Sequence, residues 1–177
     1  MERETMRKFT TLFEEALEAW TDARLGLIDE VKNIPAKKFE FRPTPEVRSV
    51  REVVVHILEV AMMMTGELTR ADTNFHRRPW PKLLRMYAAQ AYRAKTKADV
   101  VQLLKSQLKE AEKKFREAGE LHMLQRIKRF DGELGTRLAW LHHGIAHEMY
   151  HTGQLTVYQR LMGIEPALTK RIRGASP

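Results

Sequence analysis

Hydrophobic residues recur every three or four positions along four long stretches of the chain, with charged residues between them. This spacing predicts amphipathic helices, because it places the apolar side chains on one face of each helix. We expect these helices over residues 5–31, from 49 onward, over 96–118 and over 136–163. Strand-like alternation is nearly absent. The fold class is therefore predicted as all-α, an antiparallel four-helix bundle with long crossover connections.

Short polar signals mark where two of these helices begin. Ser49 followed by Glu52 has the spacing of a capping box, in which the two side chains satisfy amide groups that the helix leaves unpaired. Thr96 precedes Asp99 at the same spacing, so it is expected to cap the third long helix. Gly163, with Pro166 beyond it, is expected to end the fourth.

The segments between the long helices carry weaker signals. Prolines restrict residues 34–47 to extended or turn conformations. A loop over 72–80 and one short helix over 81–93 are expected next. Residues 121–135 fit an irregular segment, a short helix or a stretch with extended character, and the sequence leaves these alternatives open.

Length and composition indicate a globular protein. The chain has 177 residues, of which 43% are hydrophobic and 31% charged, so we expect one domain over residues 1–170 and a basic, frayed tail over 171–177. The absence of cysteine excludes disulfides, thiolate metal ligands and cysteine nucleophiles, and it fits a cytoplasmic location. The N-terminal sequence does not resemble a signal peptide, and no stretch reaches the length of a membrane span, so no membrane partner is expected.

The chain carries a formal net charge of +8, with an isoelectric point near 9.8. An excess of positive charge can attract nucleic acid or an acidic membrane surface. However, no single helix face collects the basic residues, so solvation of several helix faces is the favoured interpretation. Nucleic acid is accordingly not expected as a partner.

The candidate chemistry lies in the fourth helix, which holds four of the seven histidines, His142, His143, His147 and His151. His147 and His151 are one helical turn apart, so both imidazoles can point at one ion, although core or surface histidines also occur at this spacing. A metal site in a bundle is completed from a facing helix. The second helix supplies His56, whose alternative role is a hydrogen bond to a glutamate at the edge of the core. The predicted metal ligands are therefore His56, His147 and His151, with His143 in reserve.

The stretch FRPTPEVRSVREVVVHILEV, followed far downstream by HEMYHTGQLTVYQRLMGIEP, resembles the DinB family of DinB/YfiT-like metalloenzymes. The shared pattern is a proline-rich lead-in, a histidine in the next helix and H-x-x-x-H-x-G-Q-L near the C-terminus. The resemblance covers most of the chain. It implies a four-helix bundle, a frequent homodimer and a metal site on His56, His147 and His151. Many members carry a histidine directly before the last ligand, where this chain has Tyr150.

Three imidazoles leave coordination positions open on one divalent ion, and zinc, nickel or iron would accept such ligands. Relatives in the family include metal-dependent transferases and isomerases that use mycothiol, bacillithiol or glutathione. The resemblance therefore implies a small-molecule substrate and transfer of a low-molecular-weight thiol to an electrophile. A hydrolase that uses water is the nearest variant. The alternative is a non-catalytic metal-binding or stress-response bundle whose basic surface contacts nucleic acid.

Two further sets of residues are candidates near the ion. Carboxylates that could accept the free N–H groups of the ligands are Glu52, Glu59 and Glu148. Side chains that share a helix face with the ligands, and to which no role is assigned, are Tyr150, Gln154 and Tyr158.

Overall fold

Four long helices dominate the computed structural model, which describes residues 11–175. They are α1 (Leu12–Asn33), α2 (Val50–Leu68), α5 (Lys97–Ala118) and α7 (Arg137–Leu161). Shorter helices lie between and after them, namely α3 (Trp80–Tyr87), α4 (Ala89–Arg93), α6 (Glu120–Met123) and α8 (Ala167–Ala175). A 3-10 turn covers Ala36–Lys38, and two strands, β1 (Arg126–Lys128) and β2 (Leu134–Thr136), form an antiparallel pair.

The predicted starts of the long helices are confirmed by hydrogen bonds. The Ser49 hydroxyl accepts from the Glu52 amide at 3.2 Å, and the Ser49 amide donates to the Glu52 carboxylate at 2.9 Å. Thr96 and Asp99 form the same reciprocal pair before α5. At the other end of α7, Gly163 adopts a φ of +74°, a conformation that glycine reaches without the steric cost of a Cβ.

The buried apolar side chains form two clusters, one toward each end of the bundle. The first core cluster contains, among others, Phe13, Leu17, Trp20, Met63, Leu68, Leu108, Phe115, Leu138 and Leu141. The second core cluster contains, among others, Leu27, Val31, Val50, Val54, Leu58, Val100, Leu104 and Leu155. Along the chain, α1 and α7 pass from the first cluster to the second, whereas α2 and α5 pass from the second to the first.

These directions explain the long connections. The consecutive long helices α2 and α5 contact each other and run parallel, so residues 69–96 must return along the bundle before α5 can begin. The neighbouring pairs α1 with α5 and α2 with α7 run antiparallel. The predicted four-helix bundle with long crossover connections is thereby confirmed.

The crossover is fixed to α2 by a buried carboxylate. Glu67 accepts hydrogen bonds from the Arg77 guanidinium at 3.1 Å and from the Tyr87 hydroxyl at 2.5 Å. A Cβ at the preceding residue, Gly66, would lie 2.2 Å from the Tyr87 ring, so α3 can approach α2 this closely only over a glycine. The crossover contains two short helices rather than the single one predicted, and the second of them, α4, carries Tyr92.

The segment that the sequence left open, residues 121–135, is mixed. It begins in the short helix α6 and continues into the hairpin of β1 and β2. Thr136 ends β2 and caps α7 at the same time, because its hydroxyl accepts from the Ala139 amide at 3.0 Å. The hairpin therefore leads directly into the histidine-bearing helix.

Two boundaries expected from the sequence lie near the ends of the described chain. α1 begins at Leu12, and residues 5–10 of the predicted first helix lie outside the described residues. At the C-terminal end, the expected frayed tail is helical as far as Ala175, and α8 runs across the boundary predicted between residues 170 and 171. The buried Glu30 carboxylate of α1 accepts from the Ala167 and Leu168 amides at 2.8 and 2.9 Å, so it caps this helix. Within residues 11–175, no helix is both long enough and apolar enough to cross a membrane.

Candidate metal centre

Three imidazole rings from two helices meet in one place. The antiparallel packing of α2 against α7 brings His56 against His147 and His151, and the ring centroids lie 4.6–5.0 Å apart. One ligand atom from each ring lies within 4.8 Å of the others. The Nε2 atoms of His56 and His147 are 3.2 Å apart. Tetrahedral zinc with Zn–N bonds of about 2.0 Å requires a spacing of about 3.3 Å, so this pair already has the separation of two ligands.

The environment favours the neutral form of two of these rings. Burial lowers the pKa of His147 to about 4, and Arg48, together with His151 and His56 whenever these are protonated, acts in the same direction. Burial also lowers the pKa of His151. A neutral imidazole has a lone pair on one ring nitrogen, which is the form that binds a metal ion. The cluster can therefore hold a divalent cation such as zinc, nickel or ferrous iron at neutral pH.

A carboxylate orients the ring of His56. The Nδ1 atom of His56 lies 2.7 Å from Glu59, and Glu59 also accepts from the Tyr92 hydroxyl at 2.6 Å. Burial works to raise the pKa of Glu59, but the bonds to His56 and Tyr92 outweigh it and lower that pKa. Burial and the Glu59 bond raise the pKa of Tyr92 to about 12. An ionised Glu59 favours a proton on Nδ1 of His56, which leaves Nε2 free to face the other histidines.

A chain of hydrogen bonds orients the ring of His151. Its Nδ1 atom lies 2.9 Å from the Gln154 side-chain oxygen, and the Gln154 amide donates to the Tyr158 hydroxyl at 2.9 Å. The Tyr158 hydroxyl donates in turn to the main-chain oxygen of Arg48 at 3.1 Å. This bonding leaves the Nε2 atom of His151 directed toward the cluster. Gln154 and Tyr158, to which the sequence assigned no role, thus hold one of the three rings.

The remaining predicted residues lie elsewhere. The reserve histidine, His143, packs its ring against Trp140 at 4.5 Å and is outside the cluster. Glu52 belongs to the capping box of α2 rather than to a ligand. Tyr150 is 74% exposed and contacts the His151 ring at 5.1 Å, so it lies at the rim of the site.

A second polar group, which we call the Arg24–Glu148 network, lies beside the histidines. The Arg24 guanidinium donates to both carboxylate oxygens of Glu148 and to the Gln107 side chain. The Trp20 indole donates to the same carboxylate at 3.3 Å. Both charged residues are buried, with Arg24 0% and Glu148 1% exposed. The sequence suggested Glu148 as an acceptor for the N–H group of a ligand, but its carboxylate is bonded to Arg24 and Trp20 instead.

Two residues of these polar groups, Tyr92 and Arg24, were not identified from the sequence. Tyr92 reaches Glu59 only because the crossover folds α4 against α2, and no local pattern signals that contact. Arg24 did have a signal, because it follows Leu17 and Trp20 and precedes Leu27 at spacings of three and four residues. It thus occupies a position of the buried stripe of α1.

Solved structures share this architecture. The DinB-like protein YjoA from Bacillus subtilis is 21% identical, with a TM-score of 0.63 over 84% of this chain and 92% of that chain. YfiT from Bacillus subtilis, described as a probable metal-dependent hydrolase with an unusual four-helix bundle topology, is 18% identical, with a TM-score of 0.65 over 93% of this chain and 94% of that one. A mycothiol-dependent maleylpyruvate isomerase is 13% identical, with a TM-score of 0.66 over 82% of this chain.

At these identities the likeness shows the fold alone, and the chain spans only 61% of the isomerase. No curated protein matches the sequence. The model of the DinB family, in contrast, matches residues 4–175, nearly the whole length. The chain belongs to the DinB family.

Proposed function

We propose that this protein is a metal-dependent enzyme in which His56, His147 and His151 hold one divalent ion, either zinc, nickel or iron. The observation that carries the proposal is the convergence of three imidazoles from two helices, with one ligand atom from each within 4.8 Å of the others. The site is partly open, because the His56 side chain is 17% exposed. Three ligands with access to solvent are typical of catalytic rather than structural metal sites.

The proposed reaction is the transfer of a low-molecular-weight thiol to an electrophilic carbon. When bound, the ion would supply the positive charge that lowers the pKa of a thiol. The thiol loses its proton, a sulfur–carbon bond forms, and the leaving group departs with its electron pair and takes up a proton. The chain contains no cysteine, so the thiol must come from a small molecule.

The protein side chains orient the ligands and shape the rim in this proposal. Glu59 and Gln154 hold two of the imidazoles in the rotation and tautomer that present Nε2. The exposed ring of Tyr150, which contacts His151, offers an apolar surface to the carbon skeleton of a substrate. The fold shared with the mycothiol-dependent isomerase supports the thiol, and the fold shared with YfiT supports hydrolysis as the nearest alternative.

The metal site is tested first, by elemental mass spectrometry of protein purified without chelators. We expect about one ion per chain in the wild type, and loss of that ion in His56→Ala, His147→Ala and His151→Ala. His143→Ala is the matched control, because it removes an exposed imidazole of the same helix that lies outside the cluster. Circular dichroism should show unchanged helicity in all four variants. Equal metal content in the wild type and the cluster variants would contradict the site.

The chemistry is then tested with the metal-loaded protein. Thiol consumption in the presence of an aryl halide would support transfer, whereas ester cleavage without thiol would support the hydrolase. A protein that binds the ion but performs neither reaction would support the non-catalytic interpretation. The homodimer and the cytoplasmic location stay predictions.

A further inference from the structure

Arg48 differs from the other arginines at the start of α2. Arg42 pairs with Glu52 at 2.6 Å, and Arg51 pairs with Glu40 at 2.5 Å. Arg48 is exposed, and among residues 11–175 its guanidinium makes no hydrogen bond and no ion pair. A guanidinium has five N–H donors in a planar fork that suits a carboxylate. This arginine thus has its full binding capacity available.

The main chain of Arg48 is nevertheless held in place. Its carbonyl oxygen accepts from the Tyr158 hydroxyl, and that hydroxyl belongs to the hydrogen-bond chain that ends on the His151 ring. The next residue, Ser49, is locked in the capping box of α2. These bonds use the carbonyl oxygen of Arg48 and the groups of Ser49, and they fix the Arg48 backbone relative to the histidines. The side chain of Arg48 takes no part in them, so it is free to bind.

Arg48 lies close to the site. Its carbonyl oxygen is separated from the His151 ring by only three hydrogen bonds, of 3.1, 2.9 and 2.9 Å, which pass through Tyr158 and Gln154. Arg48 lies one residue before the N-cap of α2, and the first residue of that helix, Val50, precedes His56 by six residues, which corresponds to about 9 Å along the helix axis. An extended arginine side chain covers part of that distance. A molecule that spans both points needs only a few carbon atoms.

We propose that Arg48 binds a carboxylate of the small-molecule substrate whose sulfur reaches the ion held by the three histidines. The substrate class is thereby narrowed to thiols that carry a carboxylate a few carbon atoms from the sulfur. This inference rests on the proposed function, because it requires the metal site and a thiol ligand. It goes beyond that function by naming the residue that selects the ligand and the group that it selects.

The test measures thiol binding rather than activity. Protein loaded with cobalt(II) is titrated with 2-mercaptoethanol, mercaptoacetate, 3-mercaptopropionate and 6-mercaptohexanoate, and the sulfur-to-metal charge-transfer absorption gives each Kd. We expect at least one mercaptocarboxylate to bind about fivefold more tightly than 2-mercaptoethanol, since this is the upper end of what an exposed charge pair contributes. Arg48→Ala should abolish this preference without changing the affinity for 2-mercaptoethanol.

Arg51→Ala is the matched control. It removes the same charge about one turn away from Arg48, and Arg51 is already paired with Glu40. It should keep the preference for the carboxylate. Cobalt content and helicity should be the same in all three proteins, since the Arg48 side chain contributes no bond to the fold. Arg48→Lys should keep only part of the preference, because an ammonium lacks the planar fork.

The outcomes separate two failures. If the wild type binds 2-mercaptoethanol and the mercaptocarboxylates equally, or if Arg48→Ala and Arg51→Ala lose the preference equally, the role of Arg48 is overturned while the thiol-binding metal site stands. If Arg48→Ala weakens the binding of 2-mercaptoethanol as much as that of the mercaptocarboxylates, Arg48 acts on the site as a whole and does not select the ligand. If the cobalt-loaded wild type binds none of the thiols, the proposed function is overturned, and this inference falls with it.

Discussion

His147 and Glu148 are neighbours in the chain, yet they belong to two polar groups that are built in opposite ways. In the Arg24–Glu148 network, every charge meets a partner of opposite sign, and the carboxylate accepts from both the guanidinium and the Trp20 indole. In the histidine cluster, ring nitrogens of like character face each other, and the bonds to other groups lie on the outside. The two groups share one level of the bundle, between the core clusters.

The difference indicates which group stabilises the fold and which is open to a ligand. A buried ion pair whose donors and acceptors are all used has no capacity left for a ligand. Three imidazole nitrogens whose lone pairs converge are poorly satisfied by one another, because a lone pair cannot serve as a donor. A cation is the partner that such an arrangement lacks. The comparison thus favours a stabilising role for Glu148 and supports the proposed metal binding by His147, one residue earlier.

The largest predicted effect is on folding. Replacing Glu148 with Leu leaves the Arg24 guanidinium buried without its carboxylate, so we expect the free energy of unfolding to fall by about 3–5 kcal/mol. His147→Ala should cost about 1 kcal/mol, the typical value for a single substitution. Urea unfolding of the metal-free proteins measures both. A loss for His147→Ala as large as that for Glu148→Leu would contradict the separation of roles.

A double substitution separates the two possible causes of the loss in Glu148→Leu. Arg24→Met combined with Glu148→Leu removes both charges and replaces them with apolar groups of similar volume. Such replacements of a buried pair are often neutral or stabilising, so the double variant should be more stable than Glu148→Leu alone. If its stability equals that of the single variant, the cost in Glu148→Leu comes from lost packing rather than from the unpaired arginine.

The sequence predicted the histidine cluster more fully than the Arg24–Glu148 network. The one-turn spacing of His147 and His151 is a local property of a helix, and His56 follows from the need for a facing helix. The capping box at Ser49 fixes where α2 begins and therefore which residues of α2 face α7. These signals are local, so they can be recognised in the sequence without knowledge of the tertiary structure.

The remaining features depend on packing between distant segments. The charge of Arg24 would favour a solvent-exposed position, whereas its spacing from Leu17, Trp20 and Leu27 places it on the buried stripe of α1, where the structure has it. Met149 follows Leu141 and Ile145 at the spacing of an apolar helix face, but it is 60% exposed, since α1 and α2 cover only part of α7. The contact of Tyr92 with Glu59 depends on the course of the crossover, which composition and periodicity do not encode.

Another prediction concerns pH and the metal-free protein. The pKa of His147 falls to about 4 in the folded state, mainly through burial, from an ordinary value near 6.5. Between these values the unfolded chain binds more protons, so stability is complete above about pH 6.5 and is lost as the pH falls toward 4. We expect His147 to account for a loss of about 2 kcal/mol between pH 7.5 and pH 5. Denaturant unfolding in a chelator should show this loss in the wild type and a smaller one in His147→Ala; equal losses would refute it.

The smallest predicted effect concerns the hydrogen bonds that orient the histidine cluster from outside. Glu59→Gln weakens the acceptor for the Nδ1 proton of His56, so we expect metal affinity to fall about tenfold, as is typical when a partner of a ligating histidine is changed. Tyr92→Phe removes only the hydroxyl that donates to Glu59, and it should reduce affinity by about threefold, which corresponds to about 0.6 kcal/mol. Competition with a chromophoric chelator measures both values. Glu52→Gln is the matched control, since that carboxylate caps α2 and does not contact a ligand.

The double variant decides whether Tyr92 acts through Glu59. If it does, Tyr92→Phe should have no further effect on metal affinity in the Glu59→Gln background, because the carboxylate that transmits its influence is gone. Additive losses would mean that Tyr92 affects the site by another route, such as the packing of α4 on α2. In that case the hydrogen bond between Tyr92 and Glu59 would stabilise the fold, as the Arg24–Glu148 network does. The groups that orient the metal ligands would then be Glu59 and Gln154 alone.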